Sequence, residues 1–459
     1  MKEFDEKKNL KNIEKKLQSN LSKDEIISKA FQYHLQGNIA EASKYYQFFI
    51  NQGFKDHRIF LNSGEILKDL GRLKEAEIWM RRAISLKPDY AIAHNNLGNI
   101  LRAKNKLKEA ESCYCEAIAL NPDFTKAYYN LSTLTSTDEN KIWQKKLFSE
   151  SFLKNKSKND QFNIFFARAN ILHKKKNYKE SAKCLKLANQ LKILIHPSNS
   201  DSLIKKSKLL LIESNKANLN LTKQKNNPQS IFIVGMPRSG TTLVESIISM
   251  NSEVLDLGEI NAFERSFKEW KEKKGKVDLV DLYMQRINKE LKSHITTNKW
   301  LYNYQYAGII ASQIPNSKII HCYRNPLDNI LSIYRTNFAK DNEYSSSLID
   351  SAIIYLNHKQ IMKEYKKRFP DNIYDLNYDL LVKNPDKEIK SLINWLGWKW
   401  NNAYLNPHLN KRSVFTASDV QIRSKINSKS IGGWKNYEEM LKPAIKIITQ
   451  MDEYKNLKV

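Results

Sequence analysis

A segment of this chain repeats after 34 residues, and that periodicity restricts the possible folds of the first half more than any other feature. H-R-I-F-L-N-S-G-E-I-L-K-D-L-G-R-L-K-E-A-E from His57 returns from Ala91 as A-I-A-H-N-N-L-G-N-I-L-R-A-K-N-K-L-K-E-A-E. At that offset Gly64 matches Gly98, Ala76 matches Ala110, Ala83 matches Ala117 and Pro88 matches Pro122. The small residues let two antiparallel helices approach closely, and the prolines end one helix pair and start the next. G-N-I-A-E-A-S-K-Y-Y from Gly37 reads as a weaker copy, and N-Y-K-E-S-A-K-C-L-K-L-A-N from Asn177 as a degenerate one. Two strong and two to three degenerate copies across residues 23–192 reach the usual requirement of about three stacked units.

The 34-residue spacing resembles the tetratricopeptide repeat. That resemblance implies an all-α solenoid over residues 23–192, behind a charged segment at 1–22. Such arrays bind an extended peptide or protein partner in a concave groove, or serve as plain scaffolds. Between 193 and 228 the composition shifts to Lys, Ser and Asn around an apolar segment, Ser202 to Glu213, which suggests one linking helix. Asn226-Asn227-Pro228 then marks a boundary, leaving 229–459 as a separate domain.

With 459 residues, 41% of them hydrophobic, the chain has material for two or three cores, which argues against disorder and fibrous structure. A formal charge of +27 suggests an anionic partner. Lys, Asn and Ile are spread along the whole chain, so the excess charge does not single out nucleic acid, and none is expected as a partner. Met1 to Asn20 is highly charged, and no later run approaches the ~20 apolar residues of a membrane span, so a cytoplasmic location is expected. Cys113, Cys115, Cys184 and Cys322 show no metal-ligand spacing, so neither a disulfide framework nor a metal is expected. The composition leaves oligomerisation open.

The most informative segment follows the boundary. Ile231 to Val234 reads as a buried strand, G-M-P-R-S-G-T-T as a tight turn, and L-V-E-S-I-I-S-M as a helix. Strand, glycine turn and helix in that order aim backbone N–H groups and the positive end of a helix dipole at one point, the arrangement by which α/β folds hold phosphate. The spacing matches GxxxxGK[ST] except that Thr241 stands at the lysine position, which argues against a magnesium-dependent ATP enzyme. A second basic element is S-K-I-I-H-C-Y-R-N-P-L-D-N-I-L-S-I-Y-R, from Ser317. It places Arg324 at a strand's C-terminal end and Ser332 about two turns into a helix that starts at Asn325-Pro326, with Arg335 one turn beyond.

Pro237 to Leu243 resembles the 5′-phosphosulfate loop of sulfotransferases that use 3′-phosphoadenosine-5′-phosphosulfate (PAPS). It is similar in particular to protein-tyrosine sulfotransferases and to bacterial sulfotransferases that carry tetratricopeptide repeats. The resemblance covers roughly residues 229–459 and implies a parallel α/β domain with a P-loop-like site. It implies donor contacts from Pro237, Arg238, Ser239, Gly240, Thr241 and Thr242, with a 3′-phosphate site at Arg324 and Ser332. L-N-Y-D-L-L-V resembles the family's Y-E-x-L-V segment and places Tyr378 against the nucleotide, on a strand. The stretch Val414 to Tyr437 is similar to the loop that closes over the donor, with Ser418, Arg423, Lys425 and Trp434 as contacts.

Sulfuryl transfer requires a neutralised leaving oxygen and a base for the acceptor proton. By the same resemblance, Arg238 and Lys299 supply the positive charge and Glu259, in D-L-G-E-I-N, the base; His294 and His321 are the alternatives. The expected activity is therefore transfer from PAPS to a hydroxyl of a protein or peptide tyrosine, a saccharide or a small molecule, yielding adenosine 3′,5′-bisphosphate. The alternative is a tetratricopeptide interaction protein whose nucleotide domain is inactive.

Overall fold

The computed structural model describes residues 22–134, 142–216, 228–287, 295–338, 341–410, 412, 414, 416 and 418–457. They fall into two compact units divided between Leu134 and Thr135.

The first unit is helical: α1 (Lys23–Leu35), α2 (Ile39–Asn51), α3 (His57–Asp69), α4 (Leu73–Leu86), α5 (Ala91–Ala103), α6 (Leu107–Leu120) and α7 (Thr125–Thr133). The repeated small residues do what the spacing requires. Ala76, Ala83, Ala110 and Ala117 have no exposed surface. A Cβ on Gly64 would lie 2.8 Å from Met80 Cε, and one on Gly98 2.6 Å from Tyr114 Cε1. Successive repeats are linked by buried amides: Asn130 Nδ2 donates to Asn95 Oδ1 at 2.8 Å, and Asn96 Nδ2 to Glu65 Oε1 at 2.6 Å. Met80 is a flexible neighbour, but Tyr114 is a buried ring whose hydroxyl donates to Asn99 Oδ1. Gly98→Leu therefore destabilises this unit by about 1–3 kcal/mol through overpacking, seen as an earlier urea transition in far-UV circular dichroism of the full chain.

The second unit begins with α8 (Ile142–Phe148) and the helical hairpin α9 (Lys158–Lys174) and α10 (Tyr178–Ile195), where the degenerate repeat was read. The division at 134/135 thus differs from the expected boundary at 192/193. The hairpin's polar side chains are satisfied by the α/β part of this unit. Tyr437 Oη bonds to His173 Nδ1 and Ser181 Oγ, Asn189 Nδ2 donates to Tyr334 O, and the buried Lys192 donates to Phe338 O at 2.6 Å. The linking helix is present as α11 (Ser200–Lys216). It is built into the α/β core: Leu210 joins that core, Gln305 Nε2 donates to Leu203 O, and Arg368 Nη2 donates to Ser214 O.

The sheet consists of β1 (Gln229–Gly235), β2 (Val254–Asp256), β3 (Ile295–Asn298), β4 (Ser317–Tyr323) and β5 (Ile373–Asn377). It is parallel throughout, in the order β2-β3-β1-β4-β5, with Val234 opposite His321 and Gly235 opposite Cys322. Intervening helices are α12 (Thr241–Ile248), α13 (Ala262–Glu272), α14 (Leu279–Ile287), α15 (Ala307–Gln313), α16 (Pro326–Tyr334) and α17 (Leu348–Arg368). After β5 come α18 (Tyr378–Lys383), α19 (Pro385–Trp395) and α20 (Glu438–Ile448). Strand side chains alternate between two cores: Phe232, Val234 and Ile319 pack with α13, α15 and α17, and Ile231, Ile233 and Ile320 with α12 and α19. β1 is flanked by β3 and β4, and the chain builds β2 and β3 on one side before crossing to β4 and β5 on the other, so the strand order reverses at the C-terminal end of β1, where ligands of open α/β sheets bind. Among the described residues no helix is long and apolar enough to cross a membrane.

Candidate functional site

The loop after β1 is held tightly from three sides. A Cβ on Gly235 would stand 2.4 Å from the backbone oxygen of Cys322, and one on Gly240, at φ +98°, 2.3 Å from the Tyr378 ring. Only glycine meets both demands. Asn329 on α16 donates to Pro237 O at 2.9 Å, and Thr241 and Thr242 open α12, so the loop presents N–H groups at a helix start as the sequence implies. Thr242 Oγ1 lies 3.4 Å from Thr416 Oγ1, while Ser239 is buried and its hydroxyl has no hydrogen-bond partner among the described residues.

Arg238 adopts φ +67°, a left-handed conformation that costs a non-glycine residue roughly 1–2 kcal/mol. Its side chain is anchored in return: Nε donates to Ser332 Oγ at 3.1 Å, Nη2 to Gln421 Oε1 at 2.7 Å, and Nη1 to Ser418 Oγ. Burial and the charge of Arg324 lower its guanidinium to about 10, and Arg335 adds to the effect. Arg324, also buried, lies 4.8 Å from the Tyr378 ring centre and donates to Ser430 O at 2.8 Å and to Arg238 O at 3.4 Å. Burial pushes the Arg335 guanidinium down as well, and it sits 5.9 Å from the Tyr437 ring. Arg238 thus bonds Ser332 while the charges of Arg324 and Arg335 act on its guanidinium. The nearest carboxylate to Arg324 is Asp328, 4.0 Å away and already accepting the N–H groups of Gly432 and Trp434 at 2.7 and 3.0 Å. A positive cluster so poorly neutralised is suited to a multiply charged anion.

The second group lies after β2 and β3. Lys299 is completely buried and its ammonium donates to Glu259 Oε1, while its backbone N–H donates to Gly258 O at 2.8 Å. Glu259 keeps about a third of its side chain exposed, at 37%, so one carboxylate oxygen is held by the lysine and the group remains reachable from solvent.

Most of the expected residues are therefore assembled, in two groups. Pro237, Arg238, Ser239, Gly240, Thr241, Thr242, Arg324, Ser332, Tyr378 and Ser418 surround the loop, and Glu259 and Lys299 pair separately. The guanidinium bonds of Arg238 go to Ser332, Ser418 and Gln421. Tyr378 is not on a strand but is the first residue of α18, capped by Asn377, which turns its ring onto Gly240. Arg423 serves as a clamp for its own segment, donating to Asn410 O and Arg412 O. Trp434 is buried with its N–H on Asp328, and Lys425 is exposed. His321 is buried beside Asp375, and His294 lies outside the described residues.

Several contributors were not anticipated. Gln421 and Ser430 come from the C-terminal segment, whose contacts depend on long-range folding. Arg412 donates to Asp256 Oδ2 at 2.6 Å and Glu245 Oε2 at 2.9 Å, tying that segment to β2 and α12. The buried Glu245 in an otherwise apolar helix was the available sequence signal for such a partner. Among the described residues no group of three or more His, Cys, Asp or Glu forms a metal site.

Residues 228–402 match the model of the sulfotransferase family, and residues 57–90 and 91–124 each match a tetratricopeptide repeat. An uncharacterized protein of Aquifex aeolicus is 34% identical over 244 residues, 48% of this chain, which spans only 32% of that relative's length. A Caenorhabditis briggsae protein named "Putative protein-tyrosine sulfotransferase" is 26% identical over 233 residues, covering 46% of this chain and 81% of that protein. The sulfotransferase domain of the Synechococcus PCC 7002 olefin synthase is 16% identical, with a TM-score of 0.37 over 48% of this chain and 95% of that domain. The chain thus joins two segments that match tetratricopeptide repeats to a segment that matches the sulfotransferase family.

Proposed function

We propose that residues 229–459 transfer a sulfuryl group from PAPS to a hydroxyl acceptor. The observation that carries this reading is the grouping of Arg238, which bonds Ser332, with the charges of Arg324 and Arg335 beside the Gly235–Thr242 loop. Two separated phosphate sites, one made of backbone N–H groups and threonine hydroxyls and one of guanidinium groups, fit a nucleotide phosphorylated at both 5′ and 3′ positions. Loop N–H groups, Thr241 and Thr242 would hold the 5′ side; Arg324, Ser332 and Arg238 would hold the 3′-phosphate, with Tyr378 stacked behind. When bound, the donor supplies an activated sulfuryl group. Glu259 takes the proton of the attacking hydroxyl as the new O–S bond forms and the S–O bond to the nucleotide breaks, and Lys299 neutralises charge on the transferring group.

The similarity of the Caenorhabditis briggsae protein supports a protein or peptide tyrosine as the acceptor, with the repeats recognising the acceptor or another protein partner. Calorimetric titration of the full chain without magnesium tests the donor site. Adenosine 3′,5′-bisphosphate binds at least tenfold tighter than adenosine 5′-monophosphate, and Arg238→Ala abolishes transfer. Equal binding of both nucleotides and ATP, or full activity of the variant, overturns the reading.

A further inference from the structure

Beside the phosphate loop, between β4 and α17, lies a cavity of about 520 Å³, a volume typical of small-molecule sites. Three polar atoms of its lining residues are buried without a hydrogen-bond partner among the described residues: Ser239 Oγ, His321 Nε2 and His358 Nε2. Leaving such groups unpaired costs about 1–3 kcal/mol each, so their presence in one cavity points to a bound group that satisfies them.

The two imidazoles define what that group must be. His321 Nδ1 stands 2.7 Å from Asp375 Oδ1 and donates to it, and in the neutral ring that tautomer presents Nε2 as an acceptor. His358 is buried, its ring centre 5.0 Å from that of His321, and burial holds it well below the ordinary imidazole range and therefore neutral. The floor of the cavity thus calls for a hydroxyl or another neutral donor.

The rim calls for the opposite. Lys359, Lys363, Lys366 and Lys367 line it, against two carboxylates, Asp375 and Glu453. Lys359 pairs with Glu453 and Tyr454, Lys366 with the carbonyls of Pro370 and Ile373, and Lys367 with Glu364. Lys363 is exposed and has no partner among the described residues. Met236, Tyr323 and Tyr355 supply apolar wall between floor and rim.

We propose that this cavity binds a small hydroxylated aromatic anion, its hydroxyl donating to His321 and its carboxylate or sulfate facing Lys363. The lining includes none of Arg238, Arg324, Ser332 and Arg335, so the proposal does not rest on the arginine cluster. The cavity touches the donor site at two places, however: Ser239 belongs to the loop, and Tyr355 Oη donates to Arg324 O at 2.8 Å.

Calorimetry of the full chain with 4-hydroxybenzoate, benzoate and phenol tests it. The expected result is one site for 4-hydroxybenzoate, with benzoate about tenfold weaker for want of the hydroxyl donor. Lys363→Glu, an exposed substitution that leaves the core intact, weakens 4-hydroxybenzoate about fivefold and leaves phenol unchanged. Arg324→Ala changes none of these values. The proposal is overturned by no binding of any probe, by equal binding of benzoate and 4-hydroxybenzoate, by indifference to Lys363→Glu, or by loss of the probe in Arg324→Ala.

Discussion

Arg324→Ala lowers the affinity for adenosine 3′,5′-bisphosphate by at least about a hundredfold, measured by calorimetry at one fixed salt concentration. A charge-assisted hydrogen bond to a buried partner is worth about 1.5–3 kcal/mol, and a guanidinium fork can offer a phosphate two of them, so the loss is about 3–6 kcal/mol. The side chain is preorganised for that role. It is only 6% exposed, its ring neighbour Tyr378 fixes its plane, and its Nε has no hydrogen-bond partner among the described residues. The same side chain also holds Ser430 O, so the alanine variant loosens the segment around residue 430 as well. Arg324→Lys separates the two effects: it keeps the charge but not the planar fork, and binds about tenfold more weakly than the parent. Adenosine 5′-monophosphate, which lacks the 3′-phosphate, loses less than threefold in either variant. A comparable loss for both nucleotides would mean that Arg324 supports the loop rather than reads the phosphate.

What the sequence discloses and what it hides follows from the range of the interactions. Gly64 and Gly98 are legible because a repeat imposes the same close helix contact at a fixed interval. The loop and the Arg324–Ser332 element are legible because strand, turn and helix are local and their order alone determines where N–H groups and a basic side chain converge. Tyr378 shows where local reading stops: its segment looks strand-like, yet Asn377 accepts from the N–H groups of Asp379 and Leu380 and starts a helix at Tyr378. The destination of Arg238 is a tertiary outcome. Its direction depends on a left-handed backbone and on Ser418 and Gln421, some 180 residues away, and no spacing rule connects them. The membership of α9 and α10 in the second unit is hidden for a related reason. Helical periodicity reveals that α9 and α10 form a hairpin, but only the paired partners of His173, Asn189 and Lys192 disclose which core it joins.

Glu259→Gln reduces the rate of sulfuryl transfer by about 10²–10⁴-fold while leaving bisphosphate affinity within twofold of the parent. The amide preserves the shape of the side chain and can still accept from Lys299 through its oxygen, but it cannot take a proton from the acceptor. Lys299→Met behaves differently, because Lys299 is fully buried and Glu259 is its ion-pair partner. Removing the ammonium eliminates the charge facing the transferring group and also frees the carboxylate, so transfer falls by a similar factor, and the variant keeps the apolar stem that packs after β3. The double variant discriminates between roles. If the two residues act as one unit, Glu259→Gln combined with Lys299→Met is little slower than either single change, as for catalytic groups that depend on each other. If Lys299 only neutralises a structural carboxylate, Lys299→Met lowers thermal stability, Glu259→Gln restores it, and neither substitution moves the transfer rate. That second pattern would remove both residues from the chemistry while leaving the three-arginine phosphate site untouched, because Arg238, Arg324 and Arg335 take their contacts from β4, α16 and the C-terminal segment rather than from the β2 and β3 ends.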